Sequence, residues 1–224
     1  MVAFLLASSA SLDDLRTYLQ RAQRVEDGSL RIISSSGTLA VYTAILYPRG
    51  LLDTSPTVLG LRVIELDGGD DVDAVVPLRS TLHRIDLAAE AAPATDNAPC
   101  ELTLPHEVST VTWAGISPPR DGWRPLGSLS PQLFEQAAHA GIEEIAEMIP
   151  EGTGEQLVQR ARAEVWSREI EGVEYIPAGA AFAALSLGFL GDDDIDLYET
   201  GPWTRLSTAR GHVLVRQKPW ALRG

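Results

Sequence analysis

The stretch from Thr57 to Leu78 reads TVLGLRVIELDGGDDVDAVVPL, two runs of aliphatic and β-branched residues on either side of an Asp/Gly turn. Aliphatic and β-branched side chains favour strands, and Asp-Gly and Gly-Gly pairs are typical of tight turns. A parallel neighbour would need a crossover of about a dozen residues or more, and the break here is much shorter. The stretch therefore predicts neighbouring antiparallel strands.

The same reasoning extends the sheet toward the N-terminus. Strands are predicted at Leu30–Ser34 and Thr38–Tyr47, on either side of a Ser-Gly turn, and a first strand is predicted at Val2–Leu6. Between them, Ser11 is followed by apolar residues at helical spacing, which predicts a capped amphipathic helix that ends near Gly28.

An Ala- and Pro-rich segment divides the chain unevenly. Residues 89–99 carry no large apolar side chain, which predicts a linker or an exposed loop. It separates a helix-plus-sheet region, 1–88, from an α+β region, 100–224, and the sequence leaves open whether the two regions share one core. A short helix is predicted before the segment, at Leu82–Leu87, and a strand pair after it, at Leu102–Leu104 and Val108–Trp113.

The region after the segment is predicted to hold three helices and a hairpin. The helices are expected at Pro131–Ile149, Gly154–Arg168 and Ala178–Leu190, and the hairpin at Trp203–Gln217, about Ala209-Arg210-Gly211. The predicted fold class is therefore α+β, with an N-terminal helix plus an antiparallel sheet, a helical region and a C-terminal β-hairpin.

The charge is unusual for a chain of ordinary composition. The 224 residues hold 31 Asp and Glu against 18 Lys and Arg, a net charge of −13. This balance argues against attraction to nucleic acid or to an anionic membrane over most of the surface, so neither is an expected partner. The exclusion is local, because the chain from Trp203 onward carries five cations and no acid.

Cysteine usage and hydropathy indicate a compartment. The single cysteine, Cys100, fits a reducing cytoplasm, and the longest apolar run is too short and too interrupted to cross a bilayer. We expect a soluble cytoplasmic protein. The sequence implies no cofactor.

Three clusters of chemically capable residues each have a plainer interpretation. Glu135, His139, Glu143 and Glu147 recur at helical spacing opposite an apolar stripe, as expected of a solvent-facing side. The acids at 192–196 lack the glycine and glutamate of a calcium loop, so no metal site is assigned. Ser186 with His212 leaves a hydrolase as an alternative, although the flanking sequence is helix-like and no catalytic residue is assigned.

A Trp/Pro/Arg loop, Trp113–Pro125, and the C-terminal hairpin form the favoured binding surface, although the plainer interpretation of the loop is that Trp113 and Trp123 anchor it to the core. The residue types are those enriched at recognition sites, because tryptophan offers a wide apolar face and arginine offers planar donors. The favoured function is a non-catalytic binding or interaction protein for an anionic small molecule or an acidic protein segment. The candidate binding residues are Arg120, Trp123, Arg124, Arg205, Arg210, His212 and Arg216.

A second alternative is a winged-helix-like regulator that binds nucleic acid. Three helices followed by a basic hairpin match that outline, but the helix in the recognition position, 178–190, has no side chain to contact a base edge. The basic hairpin is instead expected to pack beside the acidic helices, within one molecule or across the interface of a homo-oligomer.

Two segments carry a resemblance to a known family. SPPRDGW, at Ser117–Trp123, and WTRLSTARGHVLVR, at Trp203–Arg216, resemble stretches of an uncharacterised protein family of actinobacterial type. The family has no assigned activity. The resemblance therefore implies a cytoplasmic bacterial protein and carries no catalytic residue.

Overall fold

The computed structural model describes residues 2–50, 52–92, 98–108, 111–115, 117–150 and 152–216. The chain forms two compact units, one of residues 1–43 and 61–115 and one of residues 44–60 and 116–224. The described residues form helices and antiparallel strands, which confirms the predicted α+β class. None of the described helices is long and apolar enough to cross a membrane.

The first unit contains two helices and six strands, although the end of β3 and the start of β4 belong to the second unit. Its helices are α1 (Ser9–Val25) and α2 (Leu78–Ala91), which pack against each other. Two ladders are built from its strands, in the orders β5-β2-β3-β4 and β4-β1-β6. The strands are β1 (Ala3–Leu6), β2 (Ser29–Ser35), β3 (Thr38–Leu46), β4 (Thr57–Gly69), β5 (Val72–Pro77) and β6 (Cys100–Thr103).

The second unit contains three helices, a four-stranded antiparallel ladder and a short strand pair. Its helices are α3 (Pro131–Met148), α4 (Glu155–Ser167) and α5 (Ala178–Ser186), and α5 packs on both of the others. The ladder has the order β12-β11-β10-β7, and β8 pairs with β9. The strands are β7 (Arg124–Leu129), β8 (Glu169–Ile170), β9 (Val173–Pro177), β10 (Ile195–Thr200), β11 (Trp203–Thr208) and β12 (Gly211–Arg216).

Strand pairing differs from the prediction in the stretch Thr57–Leu78. The strands β4 and β5 are not neighbours, because β5 pairs with β2. The far end of β4 pairs with β1 instead, with Phe4 opposite Gly69. A Cβ on Gly69 would lie 2.9 Å from both the Ala3 carbonyl oxygen and the Phe4 Cα, so only glycine allows β1 to approach this closely.

The first helix starts earlier than predicted. Its N-cap is Ser8, whose backbone is extended and whose side-chain Oγ accepts a hydrogen bond from the Ser11 amide at 3.1 Å. The predicted cap, Ser11, lies inside the first turn of α1. The helix ends at Val25, three residues before Gly28.

The segment after the first sheet is more helical than predicted. Helix α2 continues to Ala91, so part of the predicted linker is helical, and residues 93–97 of that linker lie outside the described residues. The strand β6 pairs with β1, placing the buried Leu102 opposite the buried Phe4. The predicted partner segment instead ends in a 3-10 turn at Thr112–Gly115, and residues 109–110 are not described.

The C-terminal hairpin is confirmed as β11 and β12, with Thr208 opposite Gly211 at its turn, and its last predicted residue, 217, lies outside the described residues. Two flanking strands, β10 and β7, were not predicted. The apolar helix α5 ends at Ser186 rather than at Leu190, since Gly188 adopts a positive φ of 71° that an α-helix does not accommodate.

Candidate functional site

Several of the candidate residues share one face of the second unit's ladder. Tyr198 of β10 lies opposite Arg205 of β11, Trp203 lies opposite Arg216, and Ser207 lies opposite His212. Directly opposed residues project to the same face of a sheet, as do residues two apart along a strand. The ladder register therefore places Arg205, His212 and Arg216 together.

The guanidinium of Arg205 is held between two aromatic rings. Its Cζ lies 4.6 Å from the ring centroid of Trp123 and 4.5 Å from that of Tyr198. Burial lowers the pKa of Arg205, and the Tyr198 hydroxyl partly offsets this shift. Within the described part of the chain, its buried Nε has no hydrogen-bond partner. Tyr198 is a site residue that the sequence analysis missed, since β10 itself was not predicted.

The loop that carries Trp123 is fixed over the end of the ladder. The indole Nε1–H donates to the Pro119 carbonyl oxygen at 3.0 Å, which closes the loop on itself. Gly122 has a φ of +73°, and a Cβ there would lie 3.5 Å from Thr200 Oγ1 at the end of β10. The loop thus brings the Trp123 ring onto Arg205.

The two arginines beside Trp123 have different surroundings. Arg124 pairs with Glu199, and these two residues lie opposite each other in the β7–β10 ladder. Because Glu199 alternates with Tyr198, Arg124 is directed to the other face of the sheet. Arg120 is exposed in the Trp123 loop, and no ion pair is described for it. Arg120, Trp123, Tyr198, Arg205 and Arg216 are named the arginine–aromatic surface below.

Two further predicted residues lie on the hairpin. Arg210, at the β11–β12 turn, donates from Nη1 to the Leu190 carbonyl oxygen at 2.6 Å, which ties the turn to the segment after α5. Arg216 is half-buried at the end of β12, and its buried Nε has no hydrogen-bond partner among the described residues. Arg216 therefore belongs to the surface, whereas Arg210 is used for structure.

The Ser186/His212 pair of the hydrolase alternative is not formed as a hydrogen bond. His212 Nδ1 lies 3.0 Å from Ser207 Oγ, its cross-strand neighbour on β11. Ser186 is instead the last residue of α5. A nucleophile needs its base within hydrogen-bond reach, and the described contacts give His212 a different hydroxyl.

The acidic rows are placed on the outside of the second unit. Glu135, His139, Glu143 and Glu147 are all exposed on α3, whose buried positions include Phe134 and Ala138. Among the residues that the structure describes, no group of three or more His, Cys, Asp or Glu side chains is arranged to hold a metal ion.

Among the described residues of the first unit, one cavity of about 620 Å³ and one of about 650 Å³ share four lining residues from α2 and the segment after β6. His83 and His106, far apart in the sequence, line the same larger cavity with Arg79 and Arg84. Arg79 forms an ion pair with Asp27. Sequence spacing does not predict that the two histidines are neighbours, because the return of residues 104–108 to α2 is a tertiary contact.

The chain matches two family models. Residues 1–105 match a domain of unknown function (DUF8010), and residues 118–220 match another domain of unknown function (DUF8185). No curated protein matches the chain.

The fold is similar to that of DNA polymerase sliding clamps. The chain matches a DnaN sliding clamp (DNA polymerase III subunit beta) from Bartonella birtlesii bound to griselimycin, with a TM-score of 0.51 and 10% identity, over 96% of this chain and 65% of that chain. Caulobacter crescentus pol III beta gives 0.48 at 11% identity, over 96% and 64%. A Helicobacter pylori beta clamp bound to a DNA ligase peptide gives 0.48 at 9%, over 96% and 66%.

This chain therefore spans 64 to 66% of the length of these clamp chains. The likeness to the Bartonella birtlesii protein identifies a sliding-clamp type of fold. It corrects the predicted function, a binding protein for an anionic small molecule or an acidic protein segment, which was wrong. The alternative prediction, a hydrolase that would use Ser186 and His212, is wrong as well, and His212 contacts Ser207 instead of Ser186.

The winged-helix alternative is also wrong, for a topological reason. The hairpin β11–β12 lies in a four-stranded ladder with β10 and β7, and β8, β9 and β10 separate it in sequence from helices α3 and α4. A wing attached to a three-helix core has no such ladder.

The exclusion of nucleic acid as a partner is overturned by the same likeness to DNA polymerase clamps. The error came from the net charge of −13, which was applied to most of the surface. Salt screens charges beyond about 8–10 Å, so contact with a phosphate depends on the nearest side chains and not on the total.

Proposed function

We propose that this chain is a clamp-type, DNA-associated protein that holds the sugar–phosphate backbone without reading base sequence. The observation that carries the proposal is the similarity of fold to the Bartonella birtlesii sliding clamp, a DNA polymerase III subunit, over 96% of this chain. Because a fold can host many functions, the proposal also needs side chains that suit phosphate.

The arginine–aromatic surface supplies such side chains. Arg120 is exposed, Arg216 lies on the same sheet face as Arg205, and neither has an ion pair among the described contacts. A guanidinium presents planar donors that match phosphate oxygens, and contacts to phosphate carry no sequence information. These arginines would therefore hold DNA of any sequence.

The acidic remainder of the chain limits how tightly this contact holds. The residues from Glu135 to Glu199 carry fifteen acids and three arginines, which repel phosphate wherever DNA approaches them. Binding through a few arginines should then be weak at physiological salt and should strengthen steeply as the salt concentration falls.

The proposal is tested by fluorescence anisotropy of a labelled duplex with the full chain at about 50 mM salt. The variant Arg120→Ala/Arg216→Ala should weaken binding about 10-fold and reduce the salt slope by about 2, since each phosphate contact contributes about 1. The matched control, Arg24→Ala/Arg160→Ala, removes two exposed cations from α1 and α4 and should change affinity less than about 3-fold.

Each remaining outcome has a defined meaning. Absence of binding by the wild-type chain at low salt overturns the proposed function. An equal loss in both double variants overturns the assigned surface. Arg120→Ala alone, at an exposed loop position, keeps the test valid if the Arg216 substitution impairs folding.

We further propose a setting in the bacterial cytoplasm. Lys218 is the only lysine among 18 cations, a usage that supports a high-GC bacterial source of actinobacterial type. The single cysteine, Cys100, is buried as a free thiol, which supports a reducing compartment.

A further inference from the structure

We infer that the arginine–aromatic surface takes single-stranded DNA, with one base stacked on the Trp123 indole and the neighbouring phosphates held by arginine. The inference rests on the proposed function and names its substrate class. It is carried by the juxtaposition of a fixed, half-buried tryptophan with arginines on one sheet face.

The Trp123 ring is positioned before any ligand arrives. The Arg205 guanidinium covers one face of the ring, with its Cζ 4.6 Å from the ring centroid. The indole N–H donates a hydrogen bond to the Pro119 carbonyl oxygen at 3.0 Å. A side chain that is already ordered loses little conformational entropy on binding. The ring is nevertheless half-buried rather than buried, so part of it faces solvent.

The positive charge at this surface is available to an external anion. Arg205 is stacked between Trp123 and Tyr198, and the contacts described for it include no carboxylate. Arg120 stands three residues before Trp123 in the same loop, and its side chain is exposed. A base on the indole would thus have cations close to its own backbone.

A partly exposed stacking ring favours single strands over duplex DNA. Bases inside a duplex are stacked on each other and cannot reach a surface tryptophan unless they are extruded. The bases of a single strand are accessible, and stacking on an aromatic ring accepts any base. The segment 117–129, SPPRDGWRPLGSL, also contains no Asn or Gln, the amide side chains that pair with adenine.

The test compares oligo(dT) and duplex binding by the full chain, using anisotropy at about 50 mM salt. Trp123→Ala should weaken oligo(dT) binding about 10-fold and duplex binding clearly less, because only the single strand stacks a base on the ring. Trp123→Phe should keep most of the affinity. The matched control is Tyr47→Ala, which removes a half-buried ring covered by Arg49 at 5.0 Å and should leave both affinities unchanged.

If Trp123→Ala does not fold, tryptophan fluorescence provides a second measurement of the same contact. Oligo(dT) should quench the fluorescence of the wild-type chain, and Trp123→Phe should remove most of that quenching. If wild-type duplex binding holds but Trp123→Ala leaves oligo(dT) binding unchanged, the inference fails and the proposed function stands. Equal weakening of both ligands also overturns the inference, since the ring would then act only by ordering the loop. If the wild-type chain binds neither ligand, both proposals fail.

Discussion

At the scale of single residues, Arg205 joins two segments that the sequence analysis had paired only by composition. The prediction placed the Trp123 loop and the basic hairpin on one surface, and the structure brings Trp123 onto Arg205 at 4.6 Å. Whether this surface binds a ligand stays a prediction. Tyr198 lies against Arg205 on its other side. Its role could not be predicted from the acidic sequence around it, because it depends on the register of β10 against β11.

Tyr18 is a buried residue whose ionisation should be visible in the stability of the fold. Its hydroxyl lies 2.8 Å from Thr43 Oγ1 and 3.3 Å from the Val41 carbonyl oxygen. Burial raises the pKa of Tyr18 well above its usual value of about 10. The folded state therefore keeps the neutral phenol in a pH range where the unfolded chain ionises.

We predict that the free energy of unfolding falls as the pH rises above 10, by up to about 1.4 kcal/mol per pH unit from Tyr18. Its contribution is fully present below the unfolded pKa and is lost as the pH rises toward the folded pKa. In Tyr18→Phe this part of the fall should disappear, and the stability at pH 8 should drop by about 1 kcal/mol. Urea unfolding across this pH range measures both, and parallel pH curves for the two proteins would contradict the account.

At the scale of elements, helices were predicted better than strand partners. The bounds of α3 and α4 follow from local signals, namely Pro131 after Ser130 and an apolar stripe at helical spacing. The pairing of β5 with β2 was not predicted, because β4 continues through the expected turn to Gly69, where it pairs with β1, and residue types do not encode the choice of neighbour. The strand β7 was missed because its residues, RPLGSL, are almost all exposed and include a proline and a glycine.

The structure and the sequence-based prediction differ in which serine caps the N-terminus of α1: Ser8 in the structure, Ser11 in the prediction. Ser8→Ala should lower the free energy of unfolding by about 1 kcal/mol, because the Ser11 amide would lose the side-chain oxygen that accepts from it at 3.1 Å. Ser11→Ala removes the residue that the sequence favoured and should cost clearly less. Chemical denaturation compares the two variants, and a larger loss for Ser11→Ala would reverse the assignment.

Gly141 tests the packing of α3 against α4. Replacing an exposed helical glycine by alanine stabilises a helix by about 1 kcal/mol. Gly141 is buried, however, and a Cβ there would overlap the ring of Trp166, with Cη2 only 2.7 Å away. We therefore expect Gly141→Ala to destabilise the fold by about 1–3 kcal/mol.

The control for this prediction is Gly50→Ala, where a Cβ would meet nothing within 4 Å. Its stability should stay within about 0.5 kcal/mol of the wild-type value. Thermal unfolding distinguishes the two variants. A Gly141→Ala protein that is as stable as the wild type would show that the α3–α4 contact is looser than described.

At the scale of the whole molecule, the fold explains how a chain with an acidic net charge can present a basic surface. The net charge of −13 led to the exclusion of nucleic acid, and the likeness to sliding clamps removes that exclusion. Glu135, Glu143 and Glu147 of α3 are exposed, while Arg205 and Arg216 share a face of the ladder. Composition could reveal this polarity along the chain, but only the strand register could show which cations meet on one surface.

The salt dependence of duplex binding by the wild-type chain tests the proposed function most directly. Anisotropy titrations between about 50 and 200 mM salt give the slope of log Kobs against log salt concentration. With contacts to phosphate from Arg120, Arg205 and Arg216, we predict a slope of about −3, at about −0.9 per contact. A chain that does not bind duplex DNA even at the lowest salt, or that binds it with no dependence on salt, would contradict the account.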